Sequence, residues 1–360
     1  MKRVYIRAYL KRNLGDDLFV KILTDRYQAS FVSLCNPKYK YKKEFKNVKF
    51  YNFIIYSIFK LYEKVAIKIN LKNKNLLEDY TIKKSEFMIS IGGSIFIEQE
   101  GNLDDLYKVY RNSKSYYIIG ANFGPYKTDK FKNYVENKIF KNATDVCFRD
   151  SNTYNLFKNN LKLRKAPDIV FSLDTKNIKI TNSNKVIISV IDCNKKKLSK
   201  YKEIYEKKIS EIIKFLYQQN YQITLMSFCK SEGDECAINS IINVLKKDNL
   251  KVKKYFYRDN ITEALNVIGD SSIIVGTRFH ANILGMLMNK TIIPISYNEK
   301  TKNVLKDIKY KGKILEIETI KDFNPNNLTK EDLTYKQSVF PNKQQAEKHF
   351  EKLDKILKKK

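Results

Sequence analysis

One short segment combines residue types that bind anions and transfer protons. It reads Gly276-Thr277-Arg278-Phe279-His280-Ala281 and directly follows Ile273–Val275, an apolar stretch typical of a buried strand. A helix that begins here would present backbone N–H groups to a phosphate, with Gly276 and Thr277 at the turn. The guanidinium of Arg278 matches a phosphate or carboxylate, and His280 can exchange a proton near neutral pH. We predict a ligand site; the alternative is a structural histidine beside an apolar run.

Two glycine-containing turns end further apolar stretches and would let the backbone approach a ligand. The turn residues are Gly92, Gly93 and Ser94 after Phe87–Ile91, and Gly120, Asn122 and Gly124 after Tyr116–Ile119. Neither turn matches G-x-G-x-x-G or the P-loop pattern, so the sequence disfavours a dinucleotide site and a Walker-type ATP site.

Two further charged side chains are candidates for the site. Arg149 follows a short apolar stretch and can bind a donor anion, or it can form a capping arrangement with Asp150. Asp16 lies between Gly15 and Asp17, before a stretch with helical periodicity. Asp16 or Asp17 can serve as a general base towards an acceptor hydroxyl, or can cap the helix.

The cysteine and histidine content gives no sign of a metal site or a disulfide framework. The five cysteines are widely spaced without a C-x-x-C pair, and the chain has two histidines, His280 and His349. This pattern fits free thiols in a reducing cytoplasm. We expect no metal and no bound cofactor.

The elements that must position these residues are alternating strands and helices. Short apolar runs recur between stretches of helical periodicity along most of the chain, which predicts parallel sheets covered by helices. The runs predicted as strands include Ile169–Phe171, Ile223–Met226 and Thr291–Ile295. We predict an N-terminal Rossmann-like domain over residues 1–180, on the acceptor side, and a C-terminal one over residues 181–342, on the donor side. Residues 343–360 are expected to form a helix that packs across the domains.

The composition favours an anionic partner. The formal net charge is +30, and 43% of the residues are hydrophobic, which excludes a disordered chain. The lysines are spread along the chain without a recognition helix, paired zinc ligands or an RNA-binding signature, so we do not expect nucleic acid. The alternative is a lysine-rich solvated surface. No stretch approaches the ~20 apolar residues of a membrane span. We expect a cytoplasmic protein, soluble or peripheral at the inner face of the membrane.

One segment has a different character. From Phe50 to Ile69, apolar residues recur at helical spacing, with Lys60, Lys64 and Lys68 between them. A basic amphipathic helix of this kind can lie on an anionic membrane surface. Alternatively, it is buried against the first sheet.

Taken in chain order, several motifs resemble the signatures of the polysaccharide pyruvyl transferase family. They are Asn13-Leu14-Gly15-Asp16-Asp17, Ile91-Gly92-Gly93-Ser94, the turn from Gly120 to Pro125, Arg149-Asp150, Pro167-Asp168, Gly276-Thr277-Arg278-Phe279-His280-Ala281 and Ile295-Ser296-Tyr297-Asn298-Glu299-Lys300. The family's G-N-x-G-D has Arg12 in place of its first glycine here, and Ser94 stands where the family has a third glycine.

The resemblance implies two Rossmann-like domains facing across a cleft, as in the two-domain GT-B-type glycosyltransferases. It also implies phosphoenolpyruvate as donor and a diol of a polysaccharide or lipid-linked glycan as acceptor, in the synthesis of exopolysaccharide, capsule or cell wall. Arg278 and Arg149 would then clamp the donor, His280 would bind or protonate it, and Lys300 would screen its charge or be an ordinary surface lysine. Two other functions stay open: a metal-independent nucleotide-sugar glycosyltransferase, and a non-catalytic glycan- or membrane-binding protein.

Overall fold

The computed structural model describes residues 1–39, 41–69, 75–99, 103–159 and 163–360. The chain divides into two compact units. Unit 1 consists of Met1–Lys11, Asp16–Ser172 and Gln344–Lys360, and unit 2 consists of Arg12–Gly15 and Leu173–Lys343. The sequence predicted divisions at residues 180 and 342. In addition, the segment Arg12–Gly15 belongs to unit 2, which no pattern in the sequence indicated.

Among the described residues, unit 1 contains a sheet of seven strands, all parallel. The strands are β1 (Arg3–Arg7), β2 (Ser30–Ser33), β3 (Val48–Lys49), β4 (Phe87–Ile91), β5 (Tyr116–Ala121), β6 (Asp145–Phe148) and β7 (Leu163–Lys165). Their order, β3-β2-β1-β4-β5-β6-β7, begins with the six-strand Rossmann order. The order reverses between β1 and β4, which makes this edge the topological switch point of unit 1.

Helices connect these strands and supply the rest of the core. They are α1 (Leu14–Arg26), α2 (Phe53–Lys68), α3 (Leu76–Lys83), α4 (Leu103–Arg111), α5 (Asp129–Tyr134), which continues as a π-helical turn (Val135–Phe140), and α6 (Ser151–Leu156). Phenylalanines fill the space around the π-helical turn. The ring of Phe140 makes edge contacts with Phe96, Phe148 and Phe157 at centroid distances of 4.9, 5.1 and 5.1 Å. These packed rings supply the bulk that the absent tryptophan does not.

Unit 2 repeats the arrangement with a parallel sheet of six strands in the described part of the chain. The strands are β8 (Lys185–Ser189), β9 (Gln222–Ser227), β10 (Val252–Phe256), β11 (Ile273–Gly276), β12 (Thr291–Ser296) and β13 (Leu315–Glu316). The helices are α7 (Lys202–Gln218), α8 (Asp234–Leu245), α9 (Ile261–Gly269), α10 (Phe279–Leu287) and α11 (Glu299–Asp307). The strand order is β10-β9-β8-β11-β12-β13, again the Rossmann order. The predicted fold class of two Rossmann-like domains is confirmed.

Two predicted elements differ from the structure. Ile169–Phe171 was predicted as a strand, but Ile169–Ser172 is a 3₁₀ helix. Asp168 turns the chain there: its carboxylate accepts from the N–H of Val170 at 2.9 Å, and its carbonyl accepts from the N–H of Phe171 at 3.0 Å.

The C-terminal segment was expected to form one helix. It contains α12 (Phe340–Ala346), a 3₁₀ turn (Glu347–Phe350) and then irregular turns. Residues from Gln344 onwards pack with unit 1, where Asp354 binds the guanidinium of Arg26 and the hydroxyl of Tyr27.

Helix α2 is exposed. Within Phe53–Lys68, all of which the structure describes, Ala66 is the one buried residue. The alternative that this helix is buried against the first sheet is therefore wrong. Over the described ranges, the molecule has no helix that combines the length and the hydropathy needed to cross a bilayer.

Candidate functional site

The predicted arginine–histidine segment lies at the switch point of unit 2. Strands β8 and β11 are neighbours, and the strand order reverses between them. Ser189 ends β8 and holds the turn that follows β11: its carbonyl accepts from the N–H of Thr277 at 3.0 Å, and its hydroxyl accepts from the N–H of Arg278 at 3.2 Å. Ligands of open α/β sheets bind outside the carboxyl ends of strands at such points. The sequence therefore places Arg278 and His280 at a favoured ligand position.

The backbone of this turn is fixed from inside the protein. The side chain of Asn282 donates to the carbonyl of Gly276 at 2.9 Å, and a β-carbon on Gly276 would overlap the Asn282 amide. The hydroxyl of Thr277 is buried and bonds that of Tyr205 at 2.9 Å. Thr277 was predicted to bind donor, but its hydroxyl points to the core, where Tyr205 holds it. Burial raises the pKa of Tyr205, so this phenol stays protonated.

Arg278 is held by two carboxylates that the sequence analysis did not identify. Its Nε donates to Asp234 at 3.0 Å, its Nη2 also binds Asp234, and its Nη1 binds Glu232. Asp234 is fully buried and accepts in addition from the N–H groups of Phe228 and Cys229, at 2.8 and 2.9 Å. Burial raises the pKa of Asp234, against the opposing charge of Arg278. Burial also works against the charged form of Arg278, but Asp234 and Glu232 raise its pKa well above the usual value.

Glu232 differs from Asp234 because it is partly open to solvent. Its side chain is 24% exposed, and it binds two cations, Arg278 and Lys196. Burial opposes its ionisation, yet the charges of Arg278 and Lys196 lower the pKa of Glu232 to about 2. Two cations thus converge on one partly exposed carboxylate, whereas the buried Asp234 fixes the direction of the guanidinium.

His280 is packed against the segment Arg12–Gly15. A β-carbon on Gly15 would overlap the imidazole, so this position requires a glycine for a close approach. The segment is tied to unit 2 by a hydrogen bond from the N–H of Leu14 to the carbonyl of Phe228, at 3.0 Å. Asn13 completes the turn, since its side chain accepts from the N–H of Gly15 at 3.2 Å. Gly15, the glycine of the family motif, therefore leaves the space that the imidazole of His280 occupies.

Arg12 stands where the family motif has its first glycine. Its φ of 56° lies in the left-handed region, which glycine adopts most readily. Here the guanidinium of Arg12 pairs with Asp259 at 2.8 Å, an interaction that a glycine does not provide. The departure from the family pattern thus keeps the backbone conformation and adds an ion pair within unit 2.

Replacing Gly15 by alanine is expected to displace the imidazole of His280. The turnover of a reaction in which His280 takes part should fall by about 100-fold, since small misplacements of a reacting group have effects of this size. The chain has two histidines, so NMR resolves their imidazole signals separately. The His280 signals should move while those of His349 stay. Gly285→Ala is the matched control, because its methyl would press on Ile274 and Ile292 instead. Unchanged His280 signals and turnover in Gly15→Ala would contradict this role of the glycine.

Lys300 is joined to His280 through an aromatic ring. Its ammonium lies 4.7 Å from the ring centroid of Phe279, and that ring is 4.9 Å from the imidazole of His280. The cation–π contact keeps a positive charge beside the ring of Phe279, which itself lies against His280.

In unit 1, Arg149 is buried and anchors a turn. Its guanidinium binds Asp168 at 2.8 Å and also the side-chain oxygen of Asn122, and only 1% of its side chain is exposed. Gly93 lies directly on the guanidinium, where a β-carbon would overlap it. The N–H of Asn122 donates to the carbonyl of Gly93 at 2.8 Å, and the exposed Ser94 donates to Asn122 at 3.4 Å. Arg149 therefore supports the turn at Gly93 from its buried side.

The remaining residues of the two turns also belong to unit 1. Gly92, Gly120 and Gly124 have φ values of 149°, 72° and 95°, which β-substituted residues rarely adopt. Asp150 is the N-cap of α6 and accepts from the N–H of Thr153 at 2.8 Å, so it does not serve as the partner expected for Arg149.

The two aspartates at the start of α1 have different surroundings. Asp17 is buried, and both its oxygens lie 2.9 Å from the hydroxyl of Tyr41. Asp16 is half-buried and follows Gly15 in the chain. Of the two, Asp16 is the more accessible carboxylate. In the part of the chain that the structure describes, no group of three or more His, Cys, Asp or Glu side chains is placed to hold a metal ion.

Two Rossmann-type units in one chain are the architecture of two-domain glycosyltransferases, and comparison with solved structures agrees. A UDP-GlcNAc 2-epimerase of Methanocaldococcus jannaschii is similar with a TM-score of 0.57 and 10% identity, over 98% of this chain and 99% of that one. A mutant of S. aureus TarM is similar with a TM-score of 0.55 and 11% identity, over 99% and 97% of the two chains. At these identities the likeness concerns the fold alone.

The chain belongs to the polysaccharide pyruvyl transferase family, whose profile matches residues 13–299. It is also 22% identical to the amylovoran biosynthesis protein AmsJ of Erwinia amylovora over 267 residues. That match covers 66% of this chain and 64% of AmsJ, so the chain spans less than two thirds of the relative. The range matched by the family profile includes Gly15, Arg149, Arg278 and His280 and ends at Glu299, one residue before Lys300.

Proposed function

We propose that this protein transfers pyruvate from phosphoenolpyruvate to a diol of a polysaccharide or a lipid-linked glycan precursor, forming a cyclic pyruvate ketal. The observation that carries the proposal is the position of Arg278 and His280 at the switch point of unit 2, in a chain of the polysaccharide pyruvyl transferase family. The reaction needs an anion clamp and a proton donor, and a guanidinium and an imidazole supply these.

The reaction forms two carbon–oxygen bonds and breaks one. A proton adds to the methylene carbon of phosphoenolpyruvate, so the neighbouring carbon becomes electrophilic. One sugar hydroxyl adds to that carbon and gives its proton to a base. Phosphate then leaves with the electron pair of its bond to carbon, and the second hydroxyl closes the ring while it loses its proton. The products are the ketal and inorganic phosphate, and no oxidant or reductant is consumed.

Arg278 binds the donor in this proposal by exchange of a counter-ion. Asp234 keeps hold of the guanidinium from the buried side, while Glu232 occupies the edge shared with Lys196. The carboxylate or phosphate of the donor takes the place of Glu232 and binds Arg278 and Lys196 together. Lys196 joins the proposed site for this reason, although its sequence context carried no such signal.

The other residues receive roles that follow from their surroundings. His280 transfers the proton or holds the phosphate, and Gly15 fixes the imidazole. Asp16, the residue after Gly15, is proposed as the base for the acceptor hydroxyl. Lys300 screens donor charge through its position over Phe279. We assign Arg149 to the support of the Gly93 turn, since its guanidinium is buried between Asp168 and Asn122.

The proposal includes a location. A lipid-linked acceptor would be held at a membrane, and we propose that the protein acts as a peripheral protein on the cytoplasmic, inner face of the cell membrane. The net charge of +30 supports an anionic surface as partner. The polysaccharide in the family's name and the biosynthetic role in the name of AmsJ support a glycan as the acceptor.

Donor binding separates this proposal from its alternatives. Calorimetry should detect binding of phosphoenolpyruvate but of no nucleotide-sugar in a panel of UDP- and GDP-sugars, and ³¹P NMR should show phosphate release when a diol-bearing glycan is added. Binding of a nucleotide-sugar alone would indicate a glycosyltransferase. Binding of glycan without either donor would indicate a non-catalytic protein.

Chelation tests the expected absence of a metal. Phosphate release should be unchanged in EDTA, because arginine and lysine side chains provide the proposed anion clamp. Loss of activity in EDTA with recovery on addition of a divalent cation would contradict this part of the proposal. Donor binding measured in the same buffers would show whether the metal acts on binding or on a later step.

A further inference from the structure

Helix α2 presents an apolar stripe to solvent. Its members are spaced at i, i+4, i+7 and i+11, so they follow one side of the helix. They are Ile54, Ile58, Leu61 and Val65, with exposed fractions of 68%, 61%, 65% and 48%. The helix begins securely, because the side chain of Asn52 accepts from the N–H of Ile55 at 2.9 Å. A contiguous stripe of this kind is uncommon on a soluble surface and marks an interaction site.

The opposite side of α2 accounts for how the helix is held. Ala66 is buried, and Tyr56, Phe59 and Tyr62 are half-buried. These residues lie away from the apolar stripe at 100° per residue. The helix therefore packs through one apolar side and leaves a second one exposed.

A row of lysines borders the exposed stripe. Lys60, Lys64 and Lys68 are spaced at i, i+4 and i+8, and all three are exposed. Lys60 pairs with Glu63 at 2.5 Å, the one acidic residue of the helix. The row thus keeps a positive charge beside the apolar stripe, which is the arrangement of helices that lie in a membrane interface. Anionic headgroups complement the lysines, and the acyl boundary accommodates the isoleucines and leucine.

We infer that α2 docks this protein on an anionic lipid surface, with the Ile54–Val65 stripe inserted and the lysine row at the headgroups. The charge argues against a second copy as the occupant, since pairing two such helices would bring like charges together in a chain of net charge +30. This inference deepens the membrane location in the proposed function and rests on it. It would bring a lipid-linked acceptor and the enzyme to the same surface.

The sequence provides a clean reporter for insertion. The chain contains no tryptophan, so Ile58→Trp introduces a single one in the middle of the stripe. The full-length variant is mixed with vesicles of phosphatidylcholine, alone or with phosphatidylglycerol. We expect a blue shift of the tryptophan emission with the anionic vesicles. A spectrum that does not change with them would overturn insertion of the stripe.

Charge reversal tests the lysine row against a matched control. Lys60, Lys64 and Lys68 replaced together by glutamate should weaken binding to the anionic vesicles by at least about 100-fold, since each lysine near a surface contributes about fivefold and the glutamates add repulsion. The control replaces Lys246, Lys247 and Lys251, which are exposed in unit 2, by glutamate and so has the same net charge as the test variant. It should change binding by less than about threefold. Equal loss in the two variants would reduce the interaction to general charge and overturn docking by α2.

A third variant tests the contribution of the apolar side chains to lipid binding. It also tests whether a second copy of the chain covers the stripe instead. Ile58→Gln with Leu61→Gln should abolish flotation with anionic vesicles while circular dichroism and thermal unfolding stay unchanged, because both side chains are exposed. Light scattering without vesicles would reveal self-association through α2, and a dimer abolished by this variant would overturn the inference. Vesicle binding is measured without donor or acceptor. If vesicles do not bind but phosphoenolpyruvate does, only the inference about α2 fails. If vesicles bind but phosphoenolpyruvate does not, only the pyruvyl-transfer proposal fails.

Discussion

Replacing Arg278 by glutamine is expected to lower the free energy of unfolding by about 3 to 5 kcal/mol, the usual effect of removing one partner of a buried ion pair. Asp234 would remain fully buried without the guanidinium that now binds both its oxygens. The measurement is denaturant unfolding of the variant and the wild type at neutral pH. An arginine that served only as a donor clamp, the role that the sequence predicts for Arg278, could be replaced with little loss of stability.

A conservative variant separates the two roles of Arg278. Lysine at this position keeps the charge near Asp234 but cannot bind two carboxylates with a fork of N–H groups. Arg278→Lys should therefore destabilise less than Arg278→Gln and should still lose about 2 kcal/mol or more of phosphoenolpyruvate binding. Wild-type unfolding of Arg278→Gln would show that the ion pair is not structural, and wild-type donor affinity of Arg278→Lys would remove Arg278 from the site.

Glu232→Gln is the matched control for this pair of variants. It removes the charge of the carboxylate that the donor is proposed to displace and leaves Arg278 bound to the buried Asp234. If the donor replaces Glu232, binding of phosphoenolpyruvate should become tighter by about tenfold, the size of one favourable ion contact. Weaker binding would mean that Glu232 helps to position Arg278 and is not displaced.

The strands of the fold were predictable because buried parallel strands are apolar throughout. Phe87–Ile91 was predicted with the boundaries that β4 has, and the runs around β5, β9 and β12 were recognised for the same reason. The two-residue strands β3 and β13 carry too few residues to form a pattern. At Ile169–Phe171 the apolar run was read as a strand, but the turn made by Asp168 decides the backbone.

The candidate site was predictable only where it is local in sequence. A strand followed by glycine, arginine and histidine places these side chains at the end of the sheet without any knowledge of the partners. Glu232 and Asp234 lie more than forty residues earlier in the chain, after β9, whereas Arg278 follows β11. They reach Arg278 because β9 and β11 both neighbour β8 in the parallel sheet, so their carboxyl ends lie at the same edge. Strand order brings them together, and strand order is not contained in local periodicity. The same holds for the contact between Gly15 and His280.

Periodicity also left the environment of α2 undecided. It reports that apolar residues share a side of the helix but not whether that side meets protein, lipid or water. The structure settles the packing, because Ala66 lies inward while Ile54, Ile58 and Leu61 are exposed. What covers the exposed stripe remains a proposal.

His280→Asn is expected to lower the rate of phosphate release in a single turnover by about 100-fold or more while donor affinity falls much less. Asparagine keeps a hydrogen-bonding group of similar reach but cannot exchange a proton near neutral pH. The imidazole lies on Gly15 and beside Phe279, so the smaller side chain should be accommodated without loss of the fold. Rates and affinities are measured on the same preparation across about pH 5.5 to 8.5, which brackets the usual histidine pKa.

The second histidine makes the result interpretable. His349 is fully buried, its Nε2 lies 2.7 Å from the carbonyl of Pro167, and burial lowers its pKa to about 3. It therefore stays neutral over the pH range of the assay, and any titrating imidazole signal in the NMR spectrum belongs to His280. His349→Asn is the matched control and should lose stability while keeping the single-turnover rate. Equal losses of affinity and rate in His280→Asn would assign His280 to phosphate binding. A wild-type rate in the folded variant would end its catalytic assignment and leave Arg278 to carry the proposed site.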